Sequence, residues 1–353
     1  MNAISLGCAL CALSSLAGAA RADSGVTVYG IVDLAVEVGR YNAGVNQARI
    51  QSGDIIPSRL GLRGSEELGG GLKANFGLEM GINADTGVVS TDGTLWTRGA
   101  FVGIEGGAGR LDVGRHFPSL FWIYLNSDAS SVPVATSDVN ATLQHSAALG
   151  KSGTAGFFNN TIRYRTPAWR GIESEWSYSF GNELTGARAN DARNIGMNVQ
   201  YRSGALWSGY GFNQYTGRGA LDAADSKQST HMAGATYNFG PIALGLNFLR
   251  SENLSTTHGD ADSWALTAAL PCGAGAFNVG TGRLSETGGK AAQAFSLGYV
   301  LTLSKRTQLY SYLNHIANNA VGTRGFALMN ASYATVAAGF DPSTVTAGLR
   351  MNF

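Results

Sequence analysis

Charged side chains are scarce in this sequence of 353 residues, since Asp, Glu, Lys and Arg together make up 14% of it, below the usual value of about a quarter. The shortage does not indicate a transmembrane helix, because no stretch of roughly eighteen apolar residues follows the N-terminal segment. The net charge of +1 gives no reason to expect a nucleic-acid partner. The sequence therefore favours neither a helical membrane protein nor a nucleic-acid-binding protein.

Cysteine and proline are also rare, at 3 and 7 residues respectively. Cys8 and Cys11 lie in the N-terminal apolar segment, so Cys272 is the one cysteine expected in the mature chain. A single thiol excludes an internal disulfide. Cys272 lies in the turn sequence 270–273 without a nearby general base, and we interpret it as incidental.

Residues 1–22 have the pattern of a secretory signal peptide. An apolar core from Ile4 to Leu16 precedes a small-x-small cleavage site that ends at Ala22. The first residues depart from this pattern because they contain no Lys or Arg. We expect residues 23–353 to form one domain, in which the first strand follows the signal directly and leaves no space for the plug of a siderophore receptor.

Glycine is abundant, at 49 residues, and the mean hydropathy is −0.01. This composition is typical of many half-polar strands joined by glycine turns. The stretch from Ser58 to Met80 shows the pattern best, because Leu60, Leu62, Phe76 and Leu78 alternate with polar residues on both sides of a glycine turn. Alternation with period two predicts strands that have one apolar and one polar face.

The same alternation recurs along the chain. In the first strand Val26 to Val38 form an apolar face opposite Asp33 and Glu37, and in the strand at 96–105 we assign Phe101 to the outward face and Arg98 to the inward face. The tally is about sixteen strands of roughly ten residues, the length that a tilted membrane-crossing strand needs. The pattern predicts an all-β fold, a transmembrane antiparallel β-barrel.

The connections between the strands also alternate in length. Short glycine turns such as 69–71 and 106–109 separate long connections, and we expect these long connections at 39–54, 83–94, 116–159, 182–192, 216–228 and 316–343. Short periplasmic turns and long outer loops are typical of outer-membrane barrels. The longest connection, 116–159, carries the apolar run 120–125, so we expect it to fold against the inside wall.

Several blocks of the mature chain resemble the Gram-negative general porins, particularly those of β-proteobacteria. They are VTVYGIVD (26–33), SRLGLRGSEELGGGLKANFGLE (58–79), TRGAFVGIEGGAGRLDVGRH (97–116), NTIRYRTP (160–167), LGYVLTLSKRTQLYSYLNH (297–315) and VTAGLRMNF (345–353). The resemblance implies a sixteen-stranded trimeric barrel in the bacterial outer membrane, with a third outer loop that narrows the pore. It also implies that the assembly machinery for barrels recognises the last strand, which ends at Phe353.

The resemblance implies a set of residues at the pore constriction. Arg59 and Arg98 match the basic ladder of the porin wall, Arg63 has inward parity, and Arg115 and Arg163 fall near the ladder, although Arg115 shares parity with residues assigned outward. The acidic motif of the third loop is missing, and of the loop acids Asp128 and Asp138 remain. Ile31 replaces a lysine that some porins carry on the first strand.

We therefore expect a general diffusion porin, a water-filled channel for ions and small hydrophilic solutes with a mild preference for anions, because wall arginines raise the local concentration of anions. A substrate-specific sugar or anion channel is the alternative, and Tyr29, Trp207, Tyr310 and Tyr312 are its candidate stacking residues. An enzyme is disfavoured, because the five histidines lie in no hydrolase motif and two histidines alone do not make a metal site. We expect no catalytic residue, metal or cofactor.

Overall fold

The computed structural model describes residues 25–91, 93–130, 156–181, 193–217, 226–253, 259–326 and 335–353. The predicted signal peptide at 1–22 lies outside these ranges. Within them, no helix is long and apolar enough to cross a membrane.

Sixteen wall strands and one short helix account for most of the described chain. They are β1 Gly25–Asn42, β2 in two collinear segments Val45–Ser52 and Arg59–Gly69, β3 Leu72–Asn83, β4 Gly99–Gly106, β5 Gly109–His116, α1 Phe121–Asn126, β6 Phe158–Arg165, β7 Ile172–Ser179, β8 Arg193–Ser203, β9 Leu206–Gly217, β10 Ser226–Asn238, β11 Ala243–Asn253, β12 Ala261–Cys272, β13 Gly275–Glu286, β14 Lys290–Thr302, β15 Thr307–Asn318 and β16 Ser343–Asn352. A two-residue strand, Val88–Val89, pairs with the end of β3 outside the wall.

The sheet closes on itself. Each strand pairs antiparallel with the next along the chain, and the last strand, β16, pairs with β1 from Asn352 opposite Ile31 to Ser343 opposite Arg40. Two backbone hydrogen bonds between Gly30 and Phe353 extend this seam. Closure removes the open edge that a sheet cannot expose in lipid, and it confirms the predicted barrel.

The two faces of the wall follow the predicted alternation. Outward side chains such as Val28 and Val36 are exposed, while the intervening Asp33 and Glu37 are buried inside the barrel. The assignment of Phe101 to the outward face was wrong, because Val102 and Ile104 are the exposed outward residues of β4. Arg98 precedes the first residue of β4, so its inward direction does not fix the parity of the strand.

The connections at the end that carries the termini are short, as predicted, and those at the opposite end are mostly long. The expected long connection at 39–54 was wrong, because β1 and β2 form a hairpin whose turn consists of Ala43 and Gly44. The irregular part lies instead within β2, at Gly53–Ser58. We call this segment the β2 insertion.

Candidate functional site

The third long connection enters the barrel and places α1 against the inner wall. Leu120 and Ile123 are fully buried, and the helix contacts β8, β9 and β10. β10 lies halfway round the ring of sixteen strands from β2. The loop leaves β5 beside Phe117 and runs along the inner wall, where it contacts β7 through Ser119 and β12 through Ala129. The prediction that it folds inward is confirmed.

Glycines on the inner wall create the space for this loop. A Cβ atom on Gly211 of β9 would lie 2.8 Å from Ile123, and one on Gly234 of β10 would lie 2.3 Å from the Cβ atom of Ser127. At Gly245 of β11 it would lie 2.6 Å from the carbonyl oxygen of Ser127. These separations are shorter than any van der Waals contact, so the wall accepts the loop only because these positions lack side chains.

Polar side chains of the wall fix the loop along its length. Asn198 donates to the carbonyl oxygen of Ser119 at 2.7 Å, and Asn213 accepts from the backbone nitrogen of Leu120 at 3.1 Å. These bonds satisfy loop backbone groups that burial would otherwise leave unpaired. Further polar contacts join Ser119 to Ser177 at 2.9 Å, Asn247 to Ser127 at 3.1 Å and Ala129 to Thr267 at 2.9 Å.

Two predicted arginines meet on one carboxylate at the wall formed by β2 and β3. The Nε atom of Arg98 lies 2.7 Å from Oε1 of Glu79, and Nη1 of Arg59 lies 3.6 Å from the same oxygen. All three side chains are largely covered, with 9% of Arg98, 15% of Arg59 and 16% of Glu79 exposed. One negative charge therefore serves two positive charges. We call these three residues the arginine pair site.

The other oxygen of Glu79 connects the site to Arg63. Tyr29 donates to Oε2 of Glu79 at 2.9 Å, and the guanidinium of Arg63 lies 5.0 Å from the centre of the Tyr29 ring. Arg63 is exposed. It points into the barrel, as its parity predicts, and lies nearer the end of the barrel that carries the chain termini. It therefore reaches the arginine pair site only through the aromatic ring.

Arg115 reaches the same region from β5. Its guanidinium donates to the carbonyl oxygen of Thr97 and lies 5.3 Å from the ring of Phe157, which Arg98 approaches to 5.7 Å. The parity conflict is resolved by a bulge, because the pairing of β5 with β6 shifts between Gly114 and His116. Gly114 has a φ of 144°, a left-handed value that glycine adopts without strain.

Arg163 belongs to a separate network on β4 to β7. Its Nη2 atom lies 2.6 Å from Asp112, and Arg110 and Arg165 lie 2.9 Å and 3.0 Å from Asp112 and Glu175. These positive charges face carboxylates in similar number. Phe101 covers this network from inside, with its ring centre 5.4 Å from the guanidinium of Arg110. Arg163 therefore satisfies the barrel wall and does not join Arg59 and Arg98.

Of the two predicted loop acids, the structure describes Asp128, which does not contact the arginine pair site. Asp128 is buried, and its carboxylate accepts from the backbone nitrogen of Ser130 at 2.7 Å, which closes the turn after α1. Asp138 lies outside the described residues.

The candidate stacking aromatics are mostly engaged in packing. Trp207 is 3% exposed and donates to Gln200, while Tyr310 and Tyr312 are 4% and 2% exposed. Tyr29 is bonded to Glu79 as described. A sugar needs a bare aromatic face, and Trp207, Tyr310 and Tyr312 do not present one.

Comparison with known proteins agrees with the barrel and its inward loop. A family model described as Gram-negative porin matches residues 9–321. The chain belongs to the Gram-negative porin family. It is therefore a channel protein of the bacterial outer membrane that forms a water-filled passage for ions and small hydrophilic solutes.

Among porins with known sequences, the outer membrane porin protein 32 of Delftia acidovorans is 33% identical over 98% of this chain and 99% of its own length. An outer membrane porin protein of Bordetella pertussis is 28% identical over 87% of this chain and 93% of its own length. A solved structure titled as an anion-selective porin from Comamonas acidovorans is 29% identical and superposes with a TM-score of 0.82 over 94% of this chain and 100% of its own.

Sequence reasoning about this porin missed two parts of the site. Arg350 on β16 was not among the predicted site residues, yet it lies opposite Asp33 at the barrel seam, close enough for its charge to act on Arg59. The role of Glu79 as the shared partner was also missed. Both depend on strand register, which alternation alone does not provide.

Proposed function

We propose that this porin is a general diffusion channel that prefers anions to cations. The observation that carries the proposal is the arginine pair site, where Glu79 neutralises one of two neighbouring guanidinium groups. The remaining positive charge lies on the inner wall of a narrowed lumen, where low-dielectric walls strengthen its field. Arg115 adds to it, because its guanidinium approaches the same Phe157 ring as that of Arg98. Arg350, on the strand at the seam, lies opposite the buried carboxylate of Asp33.

The pattern of partners around these arginines supports the proposal. The hydrogen bonds of Arg115 to described residues go to neutral acceptors, the carbonyl oxygen of Thr97 and the amide oxygen of Asn159. The network around Arg163, in contrast, is balanced by its own carboxylates. The solved relative titled as an anion-selective porin is consistent with the same preference.

The reversal potential in a salt gradient across a planar bilayer tests this function. We expect Arg59→Gln and Arg98→Gln channels to shift the potential towards equal permeability of anions and cations. Arg250→Gln is the matched control, because Arg250 lies on the outward face of β11, 48% exposed and paired with Glu252 and Asp262. Unchanged selectivity in both pore variants would refute the proposal.

A substrate-specific channel is the second candidate, and the buried state of Trp207, Tyr310 and Tyr312 argues against it. Swelling of proteoliposomes in a series of sugars of increasing size separates the two functions. A general porin gives rates that fall smoothly with solute size and rise linearly with concentration. Saturation by one sugar at low concentration would favour the specific channel.

We also propose that the porin is a homotrimer embedded in outer-membrane lipid. The outward face carries exposed apolar residues on every side, which suits both lipid and neighbouring subunits. The fold is shared with OmpT of Vibrio cholerae, which has been solved in a trimer form and superposes with a TM-score of 0.71 at 13% identity over 94% of this chain and 99% of its own. Single-channel steps that close in threes would support the trimer, and steps that close singly would contradict it.

We further propose that the barrel assembly machinery recognises β16 through Phe353. This residue is 52% exposed at the end of the wall, although its backbone is paired with Gly30. Deletion of Phe353 should lower the amount of porin assembled in cells. Equal refolding of both proteins in detergent would show that the defect lies in recognition and not in stability.

A further inference from the structure

The β2 insertion projects into the barrel and contains more residues than the pairing of β2 with β1 needs. Ser52 and Arg59 pair with Leu34 and Ile31 of β1. On β1 two residues lie between Ile31 and Leu34, whereas on β2 six residues lie between Ser52 and Arg59. The insertion therefore contains four residues more than the opposite strand. The chain turns back at Gly53, whose φ is 74°.

Asp33, on the inner face of β1, binds the backbone of the insertion through hydrogen bonds. Its Oδ2 atom accepts hydrogen bonds from the backbone nitrogens of Ile55 at 3.0 Å and Ile56 at 2.8 Å. The other oxygen, Oδ1, accepts from the hydroxyl of Tyr310. Arg350 of β16 lies opposite Asp33 in the register of the seam, so its positive charge acts on this carboxylate. A fully buried carboxylate with three donors is a specific attachment point, because few other geometries would satisfy it.

Ser58 fixes the C-terminal end of the insertion, and Ile55 fixes its middle. The Ser58 hydroxyl accepts from the backbone nitrogen of Asp33 at 3.0 Å and donates to its carbonyl oxygen at 3.1 Å. Ile55 is fully buried in an apolar cluster with Ala35, Val300 and the two tyrosines of β15. The insertion is therefore fixed by both polar and apolar contacts.

The insertion connects directly to the arginine pair site. The carbonyl oxygen of Pro57 accepts a hydrogen bond from Nε of Arg59 at 3.0 Å. This bond leaves the Nη atoms of Arg59 to face Glu79, where Nη1 lies 3.6 Å from Oε1. The direction of the guanidinium thus depends on where the insertion holds Pro57.

We propose that the β2 insertion is a positioning element for the pore charge, in which Asp33 and Ser58 fix the Pro57 carbonyl and thereby the guanidinium of Arg59. Within the described ranges, the insertion also projects into the lumen, as α1 does. The part of this inference that concerns selectivity rests on the proposed function of Arg59. The part that concerns pore width does not.

The first test is Ser58→Ala, which loosens the insertion without changing the charge of the lumen. We expect anion permeability to fall and cation permeability to rise, each by about twofold, the effect of moving one unit charge from about 4 Å to about 8 Å of the ion path in water. The anion-to-cation permeability ratio therefore falls, and we expect single-channel conductance to change. Ser263→Ala is the control, because Ser263 is an equally buried inward serine on β12. Wild-type selectivity and conductance in Ser58→Ala would overturn the proposal.

The second test is Asp33→Asn. Loss of a lumenal negative charge would by itself raise the permeability ratio, as we expect for Asp112→Asn in the network around Arg163. A positioning role predicts the opposite, a fall in the ratio, because the amide group introduced by Asp33→Asn has one acceptor oxygen in place of two and cannot accept from all three donors. A rise equal to that of Asp112→Asn would show that Asp33 acts through its charge alone and would overturn the positioning role.

The double variant Ser58→Ala with Arg59→Gln separates this inference from the proposed function. If the insertion acts through Arg59, Ser58→Ala has no further effect on selectivity in the Arg59→Gln background but still changes conductance. Additive effects on selectivity would refute the coupling. If Arg59→Gln alone leaves selectivity unchanged, the proposed function fails, while the conductance of Ser58→Ala still tests the insertion. Heat-modifiable mobility on gels confirms folding, and Ser58→Ala decides the question if Asp33→Asn does not fold.

Discussion

Arg98 donates to Glu79 at 2.7 Å, from a position one residue before β4 to the middle of β3. The same carboxylate oxygen also faces Arg59. This shared acceptor determines how much positive charge the inner wall carries, because each additional carboxylate at the site would cancel one arginine.

Removal of the shared carboxylate should increase the preference for anions. Glu79→Gln leaves Arg59 and Arg98 without their common negative partner, and a unit charge at 4 Å contributes about 1 kcal/mol in water. We expect anion permeability to rise and cation permeability to fall, each by up to roughly fivefold, and the reversal potential measures the resulting increase in their ratio. Glu252→Gln, which changes an exposed outward carboxylate, is the control. A lower ratio in Glu79→Gln would mean that Glu79 serves to hold the arginines in place.

Selectivity should fall as the salt concentration rises. The screening length is about 10 Å at 0.1 M and about 3 Å at 1 M salt, so the field of the arginine pair site reaches across the lumen only in dilute salt. Reversal potentials measured at the same concentration ratio but at increasing absolute concentration test this expectation. The residual selectivity of Arg98→Gln should depend less on salt than that of the wild type. Selectivity that does not change with salt would point to sieving by size.

Added methyl groups on the glycine wall should displace the inward loop. In Gly234→Ala the new Cβ would meet Ser127 at 2.3 Å, and overpacking of this kind typically costs about 1–3 kcal/mol. We expect lower single-channel conductance, because the loop can move only towards the lumen, and a lower temperature of heat-modified unfolding. Gly99→Ala is the matched control, since its nearest atom would lie 3.8 Å away. Equal effects of both substitutions would argue against a specific fit.

A disulfide should lock the loop in its observed position. The hydroxyl oxygens of Ser119 and Ser177 lie 2.9 Å apart, so Ser119→Cys with Ser177→Cys places two sulfurs close enough to bond at about 2.05 Å. The exposed Cys272 is first replaced by serine to prevent mispairing. We expect oxidation to leave conductance unchanged and to suppress any slow closures that require movement of the loop. Failure to form the bond, measured by thiol titration, would contradict the described contact.

The barrel itself could be predicted because each strand contacts lipid on one side and water or protein on the other. This imposes a period of two on every wall strand, so Val28 and Tyr29 could be assigned to opposite faces from the sequence. The inward loop could also be predicted, because a solvent-exposed loop would not carry the apolar run that includes Leu120 and Ile123. Both predictions depend only on the local sequence and on the difference between lipid outside the barrel and water or protein inside it.

The partners of the site residues could not be predicted in the same way. Whether Arg163 meets Asp112 or Glu79 depends on the register between strands, and alternation within one strand does not specify it. A bulge at Gly114 redirected Arg115, and the position of Arg98 before β4 misled the assignment of Phe101. The glycines at 211, 234 and 245 resembled ordinary strand glycines, because the loop residues for which they leave space are distant in sequence.

In the part of the inward loop that the structure describes, the hydrogen bonds from Ser119, Leu120, Ser127 and Ala129 to the wall are made by amide, hydroxyl and backbone groups, among them Asn198, Asn213 and Thr267. None of these groups gains or loses a proton in ordinary aqueous conditions, and neutral hydrogen bonds are little affected by dissolved ions. Acidification or concentrated brine should therefore change which ions pass without releasing the loop. A cell that meets sudden changes in its surroundings would keep the width of this pore while its preference for charge varies.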